Sequence, residues 1–330
     1  MPEIRQNMAT KEWVIIATER AKRPKDFVGK KAEETIPEFD EKCPFCPGNE
    51  KLAPPATFEI KDGDKWILRS VPNKFPALSP EGGRSRKFDG IHRSMNGVGI
   101  HEVIVETPIH NKFIAFMTEG DVFNIVQAYK TRYTELQKDE RVEHIIIFKN
   151  HGAAAGTSLI HPHSQVIALP LVPQMVRERV RESMSYYDDN GTCVYCEMMN
   201  LELKEKTRVI LENDSFVAFC PYASFGPFHM WILPKRHMGQ FSEINEVEMK
   251  DLARTLKIVL TKLHIGLNNP DYNLVVRCLP TDYHKTDFFH WYIAIVPRLT
   301  KSAGFELGTG MFINVTLPEE NAEFLRNVAI

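Results

Sequence analysis

Residues 150–170 read NHGAAAGTSLIHPHSQVIALP. A run of small residues leads into His161, Pro162, His163, Ser164 and Gln165. On a strand, side chains two apart share a face. His161, His163 and Gln165 are therefore expected together, with Pro162 and Ser164 on the other side. Proline removes a ladder donor, which suggests an edge strand or a bulge. Whether the two histidines do one job or two is answered by the rest of the chain, which repeats itself.

The first half runs from Cys43 and Cys46 through strand-like KWILRSV (65–71) and IHEVIVET (100–107) to His110. Apolar residues then recur at helical spacing over 120–140, behind an expected N-cap at Asp121. A β-branched strand, EHIIIFK (143–149), precedes the small-residue loop. The second half runs from Cys193 and Cys196 through TRVILEN (207–213), SFVAFC (215–220) and FHMWILP (228–234) to His237. A helix is expected over roughly 245–267, then the strand YNLVVRC (272–278), a loop, and FFHWYIAIVP (288–297) carrying His290. The second histidine lies 51 residues beyond the first in one half (110 to 161) and 53 in the other (237 to 290). Matching order and spacing predict a duplicated α+β unit, residues 1–172 and 173–330.

Each half thus offers two cysteines and two histidines, a closed tetrahedral shell of the kind that holds structural zinc. Cys43, Cys46, His110 and His161 are assigned to one ion, and Cys193, Cys196, His237 and His290 to the other. Cys220 and Cys278 sit in apolar strands and are expected to be buried small residues. The halves differ at one point. His163 has no counterpart, because Tyr292 stands two residues after His290. If His161 binds metal, His163 stays free beside a rigid node.

Composition narrows the partners. The 330 residues carry 41 Lys plus Arg against 43 Asp plus Glu, which leaves no broad electrostatic footprint for nucleic acid. There is no apolar run long enough for a membrane span or, at the start MPEIRQNMATKEWVII, for a signal peptide, so a cytoplasmic protein is expected. Glycine and alanine in GAAAG allow backbone N–H groups to approach phosphate oxygens closely. Asn150, Ser158 and Gln165 add neutral donors. A neutral imidazole at His163 could act as general base or as nucleophile toward phosphorus.

GAAAGTSLIHPHSQ resembles the active-site segment of galactose-1-phosphate uridylyltransferases, members of the histidine-triad superfamily, whose signature is G-x-S-x-x-H-P-H-x-Q. EWVIIATERAKRP (12–24), CPFCPGNE, FGPFHMWILPKRH and FFHWYIAIVPRL extend the resemblance over nearly the whole chain. It implies a duplicated histidine-triad (HIT-like) fold with antiparallel sheets, flanking helices and two structural zincs. His163 would be the nucleophile that forms a nucleotidyl-histidine. The His161 carbonyl would orient its ring, while Gln165, Ser158 and the loop through Gly156 hold the phosphoryl group. Arg20, Arg23, Asn73, Asn150 and Phe305 match residues around the nucleotide and substrate. The implied reaction is ping-pong, converting UDP-glucose and galactose 1-phosphate to glucose 1-phosphate and UDP-galactose in a homodimer. Gln165, where hydrolases of the superfamily carry a third histidine, favours transfer over hydrolysis.

Several positions depart from that pattern. Lys74 replaces an Asp, Thr309-Gly310 a Tyr-Glu pair, Thr316 a Gln, and His290-Trp291-Tyr292 the usual H-x-H. These changes resemble a divergent branch that includes plant ADP-glucose phosphorylases, which pass an adenylyl group to inorganic phosphate. Partners are therefore a nucleotide-sugar with a sugar 1-phosphate or phosphate. Glu178 or Glu182 could touch a metal, as one glutamate does in the family. A non-catalytic, zinc-stabilised scaffold that binds nucleotide is the reading of another class. It gives no role to a free His163 beside Gln165.

Overall fold

A computed structural model describes residues 1–17, 23–29 and 36–330. The described strands are β1 (Glu3–Gln6), β2 (Trp13–Ile16), β3 (Phe58–Asp62), β4 (Lys65–Pro72), β5 (Arg86–Asp89), β6 (His92–Met95), β7 (Ile100–Val105), β8 (His144–His151), β9 (His163–Leu169), β10 (Val209–Glu212), β11 (Phe216–Phe219), β12 (Met230–Pro234), β13 (Tyr272–Arg277), β14 (Tyr292–Pro297) and β15 (Phe312–Asn314). The helices are α1 (Glu119–Leu136), α2 (Gln174–Asn190), α3 (Val194–Glu205), α4 (Glu246–Leu267), α5 (Gly304–Thr309) and α6 (Pro318–Asn327).

Ten strands form one sheet in the order β10-β11-β12-β14-β13-β8-β9-β7-β4-β3, antiparallel at every pairing. Read from the centre outward, β8-β9-β7-β4-β3 mirrors β13-β14-β12-β11-β10. The duplication thus appears as two five-stranded halves joined through β8 and β13, with Asn273 opposite Asn150. The architecture is mixed α+β. The amino-terminal strands pair across the chain, because β15 lies parallel to β2 in a small sheet with β1.

Period-two alternation gives the sheet two apolar faces. Leu68, Ile104, Ile145, Ile147, Val166 and Ala168, with Ile232, Leu274, Val276 and Ile293, pack against α1 and α4 in one core. These two helices contact each other. Helix α1 buries Val122, Ile125, Val126, Tyr129 and Tyr133, and α4 buries Leu252, Leu256, Val259, Leu260 and Leu263. Each such side chain contributes about 1.5–3 kcal/mol by leaving water. Both helices start with a capping box. Asn245 pairs with Glu248 in α4. In α1 the N-cap is Thr118, not Asp121: the Thr118 hydroxyl accepts from the Asp121 N–H, and the Asp121 carboxylate accepts from the Thr118 N–H. The opposite face carries Val71, Val103 and Val105 beside Cys43 and Cys46 in the first half. In the second half that face carries Trp231, Tyr292 and Ala294 under α3.

The segment around Pro162 differs from expectation. β9 begins at His163 and lies between β7 and β8, so Pro162 marks neither an edge nor a bulge. Having no N–H, Pro162 cannot enter the ladder, but its carbonyl accepts from the Glu106 N–H (3.1 Å). His290 likewise stands two residues ahead of β14. Among the described residues, no helix is long and apolar enough to cross a membrane.

Candidate active site and metal centres

In each half the two C-x-x-C cysteines meet the two expected histidines, with all four ligand atoms within 4.8 Å of one another. In the first group the Cys43 and Cys46 sulfurs both lie 3.6 Å from His161 Nδ1, and the Cys46 sulfur lies 3.4 Å from His110 Nδ1. A tetrahedral ion of zinc's size, with bonds near 2.3 Å to sulfur and 2.05 Å to nitrogen, requires an S–N edge of about 3.6 Å. The donor set therefore fits a closed metal shell. His161 Nε2 donates to the Thr107 carbonyl (2.7 Å), which leaves the Nδ1 lone pair facing the sulfurs. Burial pushes His161 down to about 4 and the Cys43 thiol up, so the imidazole is neutral, and a bound cation would favour the thiolate.

The second group is more open. Cys196 lies 3.2 Å from His237 Nδ1 and 3.3 Å from His290 Nδ1. His237 Nε2 donates to the Thr286 carbonyl, a close parallel to His161. Cys193 is the N-cap of α3, and with the two facing histidines its group has the donor set that could hold a metal ion. Hydrogen bonding with Cys196, then with His237, lowers the Cys193 thiol against the upward push of burial. Glu178 and Glu182 belong to neither group. They bond instead to Gln174 and Arg181 on their own helix. Cys220 and Cys278 are buried in apolar surroundings, as expected.

His163 stands beside the first group and outside it. Its Nδ1 lies 2.8 Å from the His161 carbonyl, which can only accept, so Nδ1 carries the proton and Nε2 keeps its lone pair. Burial lowers its pKa, which keeps the ring neutral. The Phe45 ring packs 5.6 Å from His163 and 6.0 Å from His161. Behind the strand, on its other face, Lys149 Nζ donates to Glu106 (2.7 Å) and to the His163 carbonyl (3.2 Å). Glu106 also accepts from Ser164, whose hydroxyl meets Tyr129.

A cleft of about 790 Å³ opens in front of His163, lined also by Asn150, Gly152, Ser158, His161 and Asp271. The loop is a single tight turn. Gly152 has φ of +84°, and Gly156 closes the turn in the left-handed region at +88°. Part of the loop's donor set is already in use. The N–H groups of Ala155, Gly156 and Thr157 bond to carbonyls inside the turn, and that of Ala154 bonds to Asp271 (2.6 Å). These four donors are engaged within the protein; the side chains of Asn150 and Ser158 line the cleft, while Gln165 does not line it and lies on the strand face of His163.

Asn73 lies near Gln165 through His101, whose Nε2 is 2.8 Å from Gln165 Oε1 and 3.1 Å from Asn73 Nδ2. Arg23 is exposed, and Phe305 lies partly exposed on α5; neither lines the cleft. Arg20 lies outside the described residues. Sequence reasoning missed Asp271, Asn273 and His101. The first two arrive from the second half through the β8–β13 pairing, which local pattern does not reveal. His101 was visible as a polar residue in the apolar run IHEVIVET.

This constellation corresponds to known proteins. Residues 1–173 match the model of the galactose-1-phosphate uridyl transferase amino-terminal domain, and residues 179–307 match that of its carboxy-terminal domain. The chain belongs to the galactose-1-phosphate uridylyltransferase family and is an enzyme of the nucleotidyltransferase class. It is 37% identical to an ADP-glucose phosphorylase of Arabidopsis thaliana, covering 100% of this chain and 93% of that one. It is 28% identical to a galactose-1-phosphate uridylyltransferase of Thermotoga maritima, covering 100% and 99%. The crystal structure of an Arabidopsis thaliana ADP-glucose phosphorylase with bound ADP-glucose superimposes with a TM-score of 0.85 at 33% identity, covering 100% of this chain and 99% of that one.

Proposed function

We propose that the enzyme transfers a nucleotidyl group from a nucleotide-sugar through His163, and that its reaction is of the ADP-glucose phosphorylase type. The carrying observation is that His163 lines the cleft while the His161 carbonyl holds its Nδ1–H, which leaves the lone pair on Nε2. Nε2 attacks the α-phosphorus, and the bond to the glucose 1-phosphate oxygen breaks with its electron pair. A phosphate oxygen then attacks the same phosphorus. The P–N bond breaks, its pair returns to Nε2, and ADP leaves. The imidazole becomes cationic in the intermediate, and the Nδ1–H bond to a fixed carbonyl stabilises that charge. Gln165, Ser158 and Asn150 bind the phosphoryl oxygens, and Asn73, Arg20, Arg23 and Phe305 serve the nucleotide and sugar. Residues 1–172 and 173–330 are the two repeats, each with a structural zinc, in a cytoplasmic homodimer.

The second reading is uridylyl transfer between UDP-glucose and galactose 1-phosphate, favoured by the full-length likeness to the Thermotoga maritima relative. Incubation with ADP-glucose and phosphate should release glucose 1-phosphate and ADP. Activity only with UDP-glucose and galactose 1-phosphate would select the second reading. Inactivity of the metal-loaded enzyme with both pairs would overturn both.

A further inference from the structure

We propose that His101 and Asn273 are positioning residues that aim the amide NH2 groups of Gln165 and Asn150 at the phosphoryl group carried by His163. This rests on the reading of His163 as nucleophile. The oxygen and nitrogen of a side-chain amide are interchangeable by shape, so orientation must come from partners whose roles are certain. Here two such partners are backbone groups.

The first begins at Ala77. Its N–H lies 3.1 Å from His101 Nδ1 and can only donate, so Nδ1 presents a lone pair. With Nδ1 accepting, the ring's N–H is at Nε2. That proton faces Gln165 at 2.8 Å, which must be the amide oxygen. The Gln165 NH2 is thereby turned away from His101, on the strand face it shares with His163. Asn73 cannot take the His101 proton: its oxygen accepts from the Phe75 N–H (2.9 Å), so the Nδ2 it sets 3.1 Å from His101 Nε2 is a close approach and not a hydrogen bond, which leaves the Gln165 oxygen as the acceptor.

The second begins at Ala155. Its carbonyl can only accept, so the Asn273 atom 2.9 Å away is Nδ2. The same Nδ2 lies 2.8 Å from Asn150, which must again present oxygen. The Asn150 NH2 is left for the cleft it lines with His163. Freed from these contacts, either amide could rotate and set its oxygen against a phosphoryl oxygen, turning a donor into a repulsive contact. Fixed donors cost no reorganisation when charge develops on the phosphoryl group. Asn273 belongs to the second half, which thus supplies orientation to a site whose nucleophile lies in the first.

The test is a double-mutant cycle on the metal-loaded enzyme, reading the single-turnover rate of nucleotidyl–His163 formation and the donor concentration for half-maximal rate. His101→Phe keeps a ring but removes the Nε2 donor. It should slow adduct formation roughly tenfold to a hundredfold, with little change in half-saturation. The same substitution in a Gln165→Leu background should change the rate less than about twofold, and in an Asn150→Leu background it should act in full. Asn273→Leu should show the reciprocal pattern. His101→Gln, which offers both a donor and an acceptor, should recover part of the rate. Equal effects in all backgrounds, or no effect on rate, would overturn the proposal alone. A wild-type enzyme that forms no adduct with ADP-glucose or UDP-glucose would overturn the His163 reading and this proposal with it.

Discussion

Replacing Lys149 by Met tests the support behind the nucleophile. The Lys149 and Glu106 side chains are 2% and 0% exposed and lie 2.7 Å apart. Removing the ammonium leaves a buried carboxylate with neutral hydroxyl partners, Ser164 and Tyr129, and breaking a buried pair in this way costs about 3–5 kcal/mol. The lost contact to the His163 carbonyl, 3.2 Å from Nζ, adds about 1 kcal/mol. Lys149→Met with Glu106→Leu removes both charges, and the Ser164 and Tyr129 hydroxyls, already paired, keep each other. The double variant should therefore be more stable than Lys149→Met alone. Urea unfolding of the metal-loaded proteins, read by fluorescence and by circular dichroism together, measures the cycle. A Lys149→Met cost under about 1 kcal/mol, or a double variant whose cost equals the sum of the two singles, would refute the reasoning.

Three further outcomes follow from the geometry. Gly152→Ala places a methyl group 2.1 Å from an Asp271 oxygen at a φ of +84°; the turn should open and turnover should fall at least tenfold while metal content stays constant, and unchanged turnover would contradict the fit. Elemental analysis should find two metal ions per chain, with Cys46→Ser losing one and Cys196→Ser the other; retention of both ions by either variant would break the assignment. Burial lowers His144 to about 4 and His229 to about 3. The unfolded chain then binds their protons below about pH 6.5 while the folded chain does not, so stability falls with pH by roughly 2 kcal/mol per group at pH 5. Substituting both histidines by Phe should flatten the decline between pH 6.5 and 5, and an unchanged slope would show that these rings are not the cause.

The duplication and both metal groups were legible because they rest on residue types at matching intervals. His161 and His290 were assigned to metal, and His163 set apart, from the mismatch with Tyr292. Three features were not legible. The start of β9 depends on Pro162 lacking a ladder donor. Glycine and alanine carry no polar side chains, so nothing in the sequence shows that the turn's own carbonyls and Asp271 take the N–H groups of Ala154 to Thr157. Asn273 reaches the cleft only because β8 pairs with β13, a contact 123 residues apart in the chain.

The central claim is that His163 accepts a nucleotidyl group. Metal-loaded enzyme should be mixed with ADP-glucose or UDP-glucose without acceptor, then analysed by intact mass and peptide mapping. The account predicts one AMP or UMP per chain on His163, with release of one glucose 1-phosphate, and no adduct on a His163→Gly variant that keeps both metals. An adduct on another residue, or sugar phosphate released by His163→Gly at the wild-type rate, would contradict it.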